Sequence, residues 1–79
     1  MAKERTASRV KGRLFASIKN NAESATKLRL EGRIEGAMSH EQDVNNAMRV
    51  AERKGWGAAA YAAEQTGIAR GMTKALKKL

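Results

Sequence analysis

The segment Gln65-Thr66-Gly67-Ile68-Ala69-Arg70-Gly71-Met72-Thr73-Lys74-Ala75-Leu76 decides how this chain is read. A glycine at position 67, between an alanine-rich run over 58–64 and a stretch ending Lys77-Lys78-Leu79, can take the left-handed conformation that ends one helix and begins another. Read so, the last third is a pair of short helices meeting at a corner. Ala63 lets the second helix cross the first, Gly67 turns, and Ile68 plugs the corner.

Composition agrees with a helical chain. Seventy-nine residues with no proline, three aromatics and abundant alanine favour helix over strand. The absence of cysteine removes disulfides and thiolate metal sites as sources of stability and fits a reducing compartment. A chain this short buries only about 60% of the surface its unfolded form exposes, so helix packing or self-association must supply the rest. No apolar run of membrane-spanning length interrupts the charged sequence, and the expectation is a soluble, cytoplasmic protein without a membrane partner.

Working outward from Gly67, periodicity predicts an all-α compact bundle of about five short helices with a C-terminal helix-turn-helix-like pair. A basic arm over 1–7, not required to be ordered, precedes a single helical domain over 8–79. The first helix is expected over Ser8 to Lys19, with Val10, Leu14, Phe15 and Ile18 facing the core. Asn20-Asn21 is expected to end it. A second helix is placed at Glu23 to Met38, burying Leu30, Ile34, Ala37 and Met38, although Gly32 and Gly36 weaken it by up to about 1 kcal/mol each. A third spans 40–54, opened by a capping box of Ser39 and Gln42 and closed by Lys54-Gly55, with Val44, Ala47, Met48 and Ala51 inward. The fourth runs from Gly57 to Gln65 and the fifth from Ala69 or Arg70 to the end, where Met72, Leu76 and Leu79 would pack inward.

The formal charge is +8, and it sits at the two ends of the chain. Residues 1–20 carry six basic side chains against Glu4, and residues 56–79 carry four against Glu64, while the stretch between is neutral. A field of this sign attracts phosphate polymers. The fifth helix would present Arg70, Thr73, Lys74, Lys77 and Lys78 outward, and Arg5, Arg9 and Arg13 would form a second basic stripe, so these eight residues are the candidate nucleic-acid contacts.

The string Thr66-Gly67-Ile68-Ala69-Arg70 followed by Lys74-Ala75-Leu76, preceded by Ala47-Met48-Arg49-Val50-Ala51-Glu52-Arg53-Lys54-Gly55, resembles the small helix-turn-helix antitoxins and phage-type regulators of the lambda-repressor-like superfamily. The resemblance covers roughly residues 44–79. It implies operator DNA as partner, dimers as the binding form, and a phage, plasmid or toxin-antitoxin type transcriptional regulator as the function. The chain departs from the family pattern at Ala69, Gly71 and Thr73, which makes the last helix a poor reader of bases.

Two other partners fit the same charges: RNA or a ribonucleoprotein, and an acidic surface on a host protein bound by a phage- or plasmid-type helical factor. Enzymatic activity is not expected, because no phosphate-binding glycine loop, nucleophile elbow or histidine-rich metal motif is present. No cofactor is expected either. Trp56 is read as a core anchor rather than a base-stacking platform, and His40 as a surface residue of a first helical turn. Homodimerisation is expected for a core this small, with the neutral second helix as the interface.

Overall fold

The computed structural model describes the backbone of residues 2–78 and the side chains of residues 9–78. Three helices run up, down and up: α1 over Ala2–Leu30, α2 over Ile34–Arg53 and α3 over Gly57–Lys77. The all-α class is as expected, but among the described residues the five short helices are three long ones and the helix-turn-helix-like pair is replaced by the single helix α3. The side chains of the expected basic arm over 1–7, and Leu79, lie outside the described residues.

Both connections are made by glycine. Gly32 (φ +79°) and Gly55 (φ +78°) take the left-handed conformation, and each closes its helix with the same paired bonds. The Arg33 N–H donates to the Leu28 carbonyl at 2.8 Å and the Gly32 N–H to that of Arg29 at 3.1 Å. At the second turn the Trp56 N–H donates to Ala51 at 2.8 Å and the Gly55 N–H to Glu52 at 3.0 Å. This two-bond cap satisfies carbonyls that a helix end otherwise leaves open. Gly32 is therefore a helix stop, and α2 begins just beyond it at Ile34. That start leaves Ser39 inside α2, where it caps nothing.

Asn20-Asn21 does not interrupt α1. The Asn21 side-chain amide donates to the Ser17 carbonyl at 2.9 Å and to Ser17 Oγ at 3.2 Å, one turn back in the same helix. Its competing hydrogen bonds are thus met without leaving helical geometry.

The decisive correction concerns Gly67. It lies in the middle of α3, buried, with Ala60, Gly71 and Ala75 on the same face. A Cβ at Gly67 would fall 2.2 Å from the Lys19 carbonyl oxygen and 2.9 Å from the Ala22 methyl. At Gly71 it would fall 2.5 Å from the Glu23 carbonyl oxygen and 2.8 Å from Thr26 Cβ. The two glycines, one turn apart, remove the atoms that would hold α1 and α3 at ordinary separation, and α1 and α3 pack in parallel at very close range. Each interior glycine costs about 1 kcal/mol in helix propensity. Packing against the α1 backbone offsets it.

This register turns the large apolar side chains of α3 outward. With Gly67, Gly71 and Ala75 inside, Met72 and Leu76 each stand one residue further round the helix and are exposed. Leu30, Ile34 and Met38 are also exposed, contrary to expectation, because the break falls at Gly32; Val10, expected to face the core, is exposed near the N-terminal end of α1. The core is made of Ile18, Ala22, Val44, Ala47, Ala51 and Ala60, with Leu14, Phe15, Met48, Trp56, Ala63 and Ile68 half-buried around it. Ile18 is the one large side chain that is fully buried among the described residues, so burial of small side chains at short range carries the fold.

Two Gly→Ala changes should therefore act with opposite signs. Gly12 has nothing within 4 Å of its would-be Cβ, so Gly12→Ala should stabilise the chain by about 0.5–1 kcal/mol. Gly67→Ala should destabilise it by about 1–3 kcal/mol despite the same gain in propensity, because α1 must move away. Urea denaturation followed by circular dichroism measures both; a Gly67→Ala variant at least as stable as the native chain contradicts the packing described.

Candidate nucleic-acid interface

Charge divides by helix. α1 carries Lys3, Arg5, Arg9, Lys11, Arg13, Lys19, Lys27 and Arg29 against Glu4 and Glu23. α3 carries Arg70, Lys74 and Lys77 against Glu64, whereas α2 has Glu35, Glu41, Asp43 and Glu52 against only Arg49 and Arg53. The two strongly packed parallel helices are cationic and the third is anionic.

Parallel packing of α1 and α3 aligns their basic residues along one seam. Gly67 lies against Lys19 and Gly71 against Glu23, so Lys19 and Arg70 come together around the Glu23 carboxylate. Lys74 Nζ donates to Glu23 Oε2 at 2.6 Å, and Lys78 Nζ to Glu31 Oε2 at 2.8 Å. Arg70, Lys74 and Lys77, with Glu23, Ala69 and Thr73, line a shallow depression of about 450 Å³ on this seam.

The expected contact residues thus fall into three groups. Arg70 and Lys77 are exposed and have no ion-pair partner among the described residues. Lys74 and Lys78 are exposed but tied to carboxylates of α1 and its turn. Thr73 donates its hydroxyl to the Ala69 carbonyl at 3.0 Å, within its own helix, and Thr66 does the same to Ala62. Arg9 and Arg13 are exposed near the opposite end of α1, and the Arg5 side chain lies outside the described residues. By the register, Lys77 is level with about Arg29, which sets Arg9 about 30 Å from it along the axis at 1.5 Å per residue.

Lys19 and Lys27 were not expected at this surface. Placing Asn20-Asn21 at a break separated them, whereas in continuous α1 the residues Lys19, Glu23 and Lys27 repeat every four positions, and Arg9 and Lys27 lie about five turns apart on one line. The signal was present in that spacing.

The remaining polar side chains hold the bundle. His40 is half-buried, not on the surface, and its Nδ1 lies 2.8 Å from Asn21 Oδ1. Because the Asn21 nitrogen donates to Ser17, its oxygen is the acceptor and His40 Nδ1 the donor. Arg29 makes a bidentate pair with Glu41, joining α1 to α2. Trp56 is half-buried and meets the Phe15 ring edge-on, centroids 6.2 Å apart, with the Lys11 and Lys54 ammonium groups 5.4 and 5.6 Å from the indole. That is an anchor roofed by two cations.

Among the described residues no helix is long and apolar enough to cross a membrane. Comparison with protein-family models, with curated proteins and with solved structures found no match, so no family is assigned to the chain.

The ion pairs carry a pH dependence. Glu23, Glu31 and Glu41 are held below the ordinary carboxylate value of 4.5, chiefly by the hydrogen bonds from Lys74, Lys78 and Arg29 respectively. A lowered folded-state value means that the stabilisation is complete above 4.5 and is lost as the pH falls through the folded value. Glu23→Gln should lower the thermal midpoint near neutral pH, and its difference from the native chain should shrink as the pH falls below 4.5 through the folded value. Midpoints that stay equal at neutral pH would show the Glu23–Lys74 pair to be idle.

Proposed function

We propose that this chain is a small nucleic-acid-binding protein that holds duplex DNA by its phosphate backbone, across the joint face of α1 and α3. The observation that carries the reading is the segregation of charge. The seam of α1 and α3 gathers Lys19, Arg70, Lys74 and Lys77 around a single glutamate, while acidic residues outnumber basic ones on α2.

The length of the face supports a duplex over a small anion. Arg9 and Lys77 stand about 30 Å apart, close to the roughly 34 Å of one turn of double helix, so both ends of the face can meet backbone on the same side of one duplex. With three aromatics, one of them Trp56 packed on Phe15, the chain offers little for stacking single-stranded bases. With Thr73 bonded to its own helix, base reading has few donors, and sequence preference should be weak. A regulatory role would then act through occupancy of DNA in a cytoplasmic setting, which the absence of cysteine fits.

Binding should weaken linearly in log–log form with salt, as phosphates release counterions. Arg70→Glu and Lys77→Glu should each reduce affinity and lower that slope by about one, whereas Arg53→Glu on α2 should leave the slope unchanged. Fluorescence anisotropy on duplex DNA, duplex RNA and single strands measures this. Equal slopes for all three variants would remove the seam from the interface, and preferential binding of duplex RNA would reassign the partner.

A further inference from the structure

Two cations of the basic seam are already engaged by carboxylates. Lys74 Nζ donates to Glu23 Oε2 at 2.6 Å and Lys78 Nζ to Glu31 Oε2 at 2.8 Å, the two lysines standing one helical turn apart at the end of α3. The partners are unequally placed. The lysine side chains are 56% and 60% exposed and those of Glu23 and Glu31 only 18% and 20%, so each carboxylate is seated against the body of the molecule and each lysine reaches over it. Lys19 and Arg70 also act on the charge of Glu23, and Lys27 and Arg33 on that of Glu31, so each carboxylate lies among three cations. An anion held in this way on the proposed phosphate-binding face occupies a phosphate's chemical role. Like a phosphate oxygen, it accepts a charge-assisted hydrogen bond from an ammonium donor.

We propose that Glu23 and Glu31 withhold Lys74 and Lys78 from nucleic acid, so that the native seam binds through Arg70 and Lys77 and keeps two cations in reserve. This rests on the seam being a phosphate-binding face, as proposed above. An ammonium has three donors, but a phosphate brought up to Lys74 would meet the negative charge of Glu23 at short range, and the two anions repel. Binding at Lys74 therefore requires Glu23 to be neutralised or removed. Arg70 and Lys77 carry no such obstacle, being exposed and without an ion-pair partner among the described residues. The lysines that fasten α3 to α1 are thus lost to the ligand, and fold stability and binding strength oppose one another at these two positions. Pairs that were only fasteners would behave otherwise. Removing Glu23 would then loosen the seam and leave binding unchanged or weaker, whereas withholding predicts a less stable chain that binds more tightly.

Glu23→Gln in the full chain, followed by fluorescence anisotropy on duplex DNA across a salt series, tests the proposal. The variant should bind about two- to fivefold more tightly at a fixed salt concentration, the scale of an exposed ion pair. Its log–log salt slope should steepen by about one, because Lys74 joins the contacts that release counterions. Glu31→Gln should act likewise through Lys78. Asp43→Asn makes the same change in net charge at an exposed position of α2 and should leave the slope at the native value. Glu23→Gln combined with Lys74→Gln, in which neither charge remains, should return the slope to the native value. Native affinity or native slope in both single glutamate variants, or a double variant that keeps the steeper slope, overturns the proposal. Failure of the seam itself looks different, because Arg70→Glu and Lys77→Glu then leave the slope unchanged as well. If those two lower the slope while Glu23→Gln and Glu31→Gln do nothing, the seam stands and only the withholding falls.

Discussion

The structure depends on the close approach of α1 and α3 at Gly67 and Gly71. Two missing side chains let the α3 backbone settle against the Lys19 and Glu23 carbonyls, and everything else follows from that contact. It keeps α3 in one piece, because breaking the helix at Gly67 would lift it off α1. It sets the parallel register in which Glu23 receives Lys74 and Glu31 receives Lys78. It also consumes the side of α1 nearest α3, leaving α2 to pack on the remaining side through His40, Arg29 and a run of alanines. A core of small residues is the consequence: stability comes from many short contacts rather than from a few large buried side chains.

The same contact separates two kinds of surface. Cations from α1 and α3 that are far apart in sequence meet along the seam, whereas the large apolar side chains of α2 and α3 turn away from it.

Much of this is legible in the sequence, and two signals in it are ambiguous: a glycine in a helical stretch and an asparagine pair. Gly55 reads as a helix stop because Lys54 and the periodic stretch before it mark a C-terminus. The apolar stripe Val44, Ala47, Met48 and Ala51 is legible because it repeats at three and four residues, and it packs inward. Gly32 and Gly67 were exchanged in role: Gly32 turns the chain and Gly67 does not. A glycine in an alanine-rich stretch signals equally a left-handed turn and a close helix crossing, and only the partner helix decides between them. A division of α3 at Gly67 places Met72 and Leu76 inward, where the unbroken helix buries Gly71 and Ala75. A division of α1 at Asn20-Asn21 hides the line that Lys19 and Lys27 share in the continuous helix. Of the candidate contact residues, Arg70 and Lys77 emerge as the freest cations of the seam, and Lys74 and Lys78 gain a structural partner that sequence spacing across 47 and 51 positions could not reveal.

The most direct test of the account is nuclear magnetic resonance of the backbone and methyl groups around Gly67. Unbroken helical Cα shifts from Gly57 to Lys77, with cross-relaxation between the Gly67 α-hydrogens and the Ala22 methyl, are the predicted result. Coil-like shifts at Gly67 and Ile68 without contact to Ala22 would contradict it, and would return the C-terminal third to two helices joined at a corner.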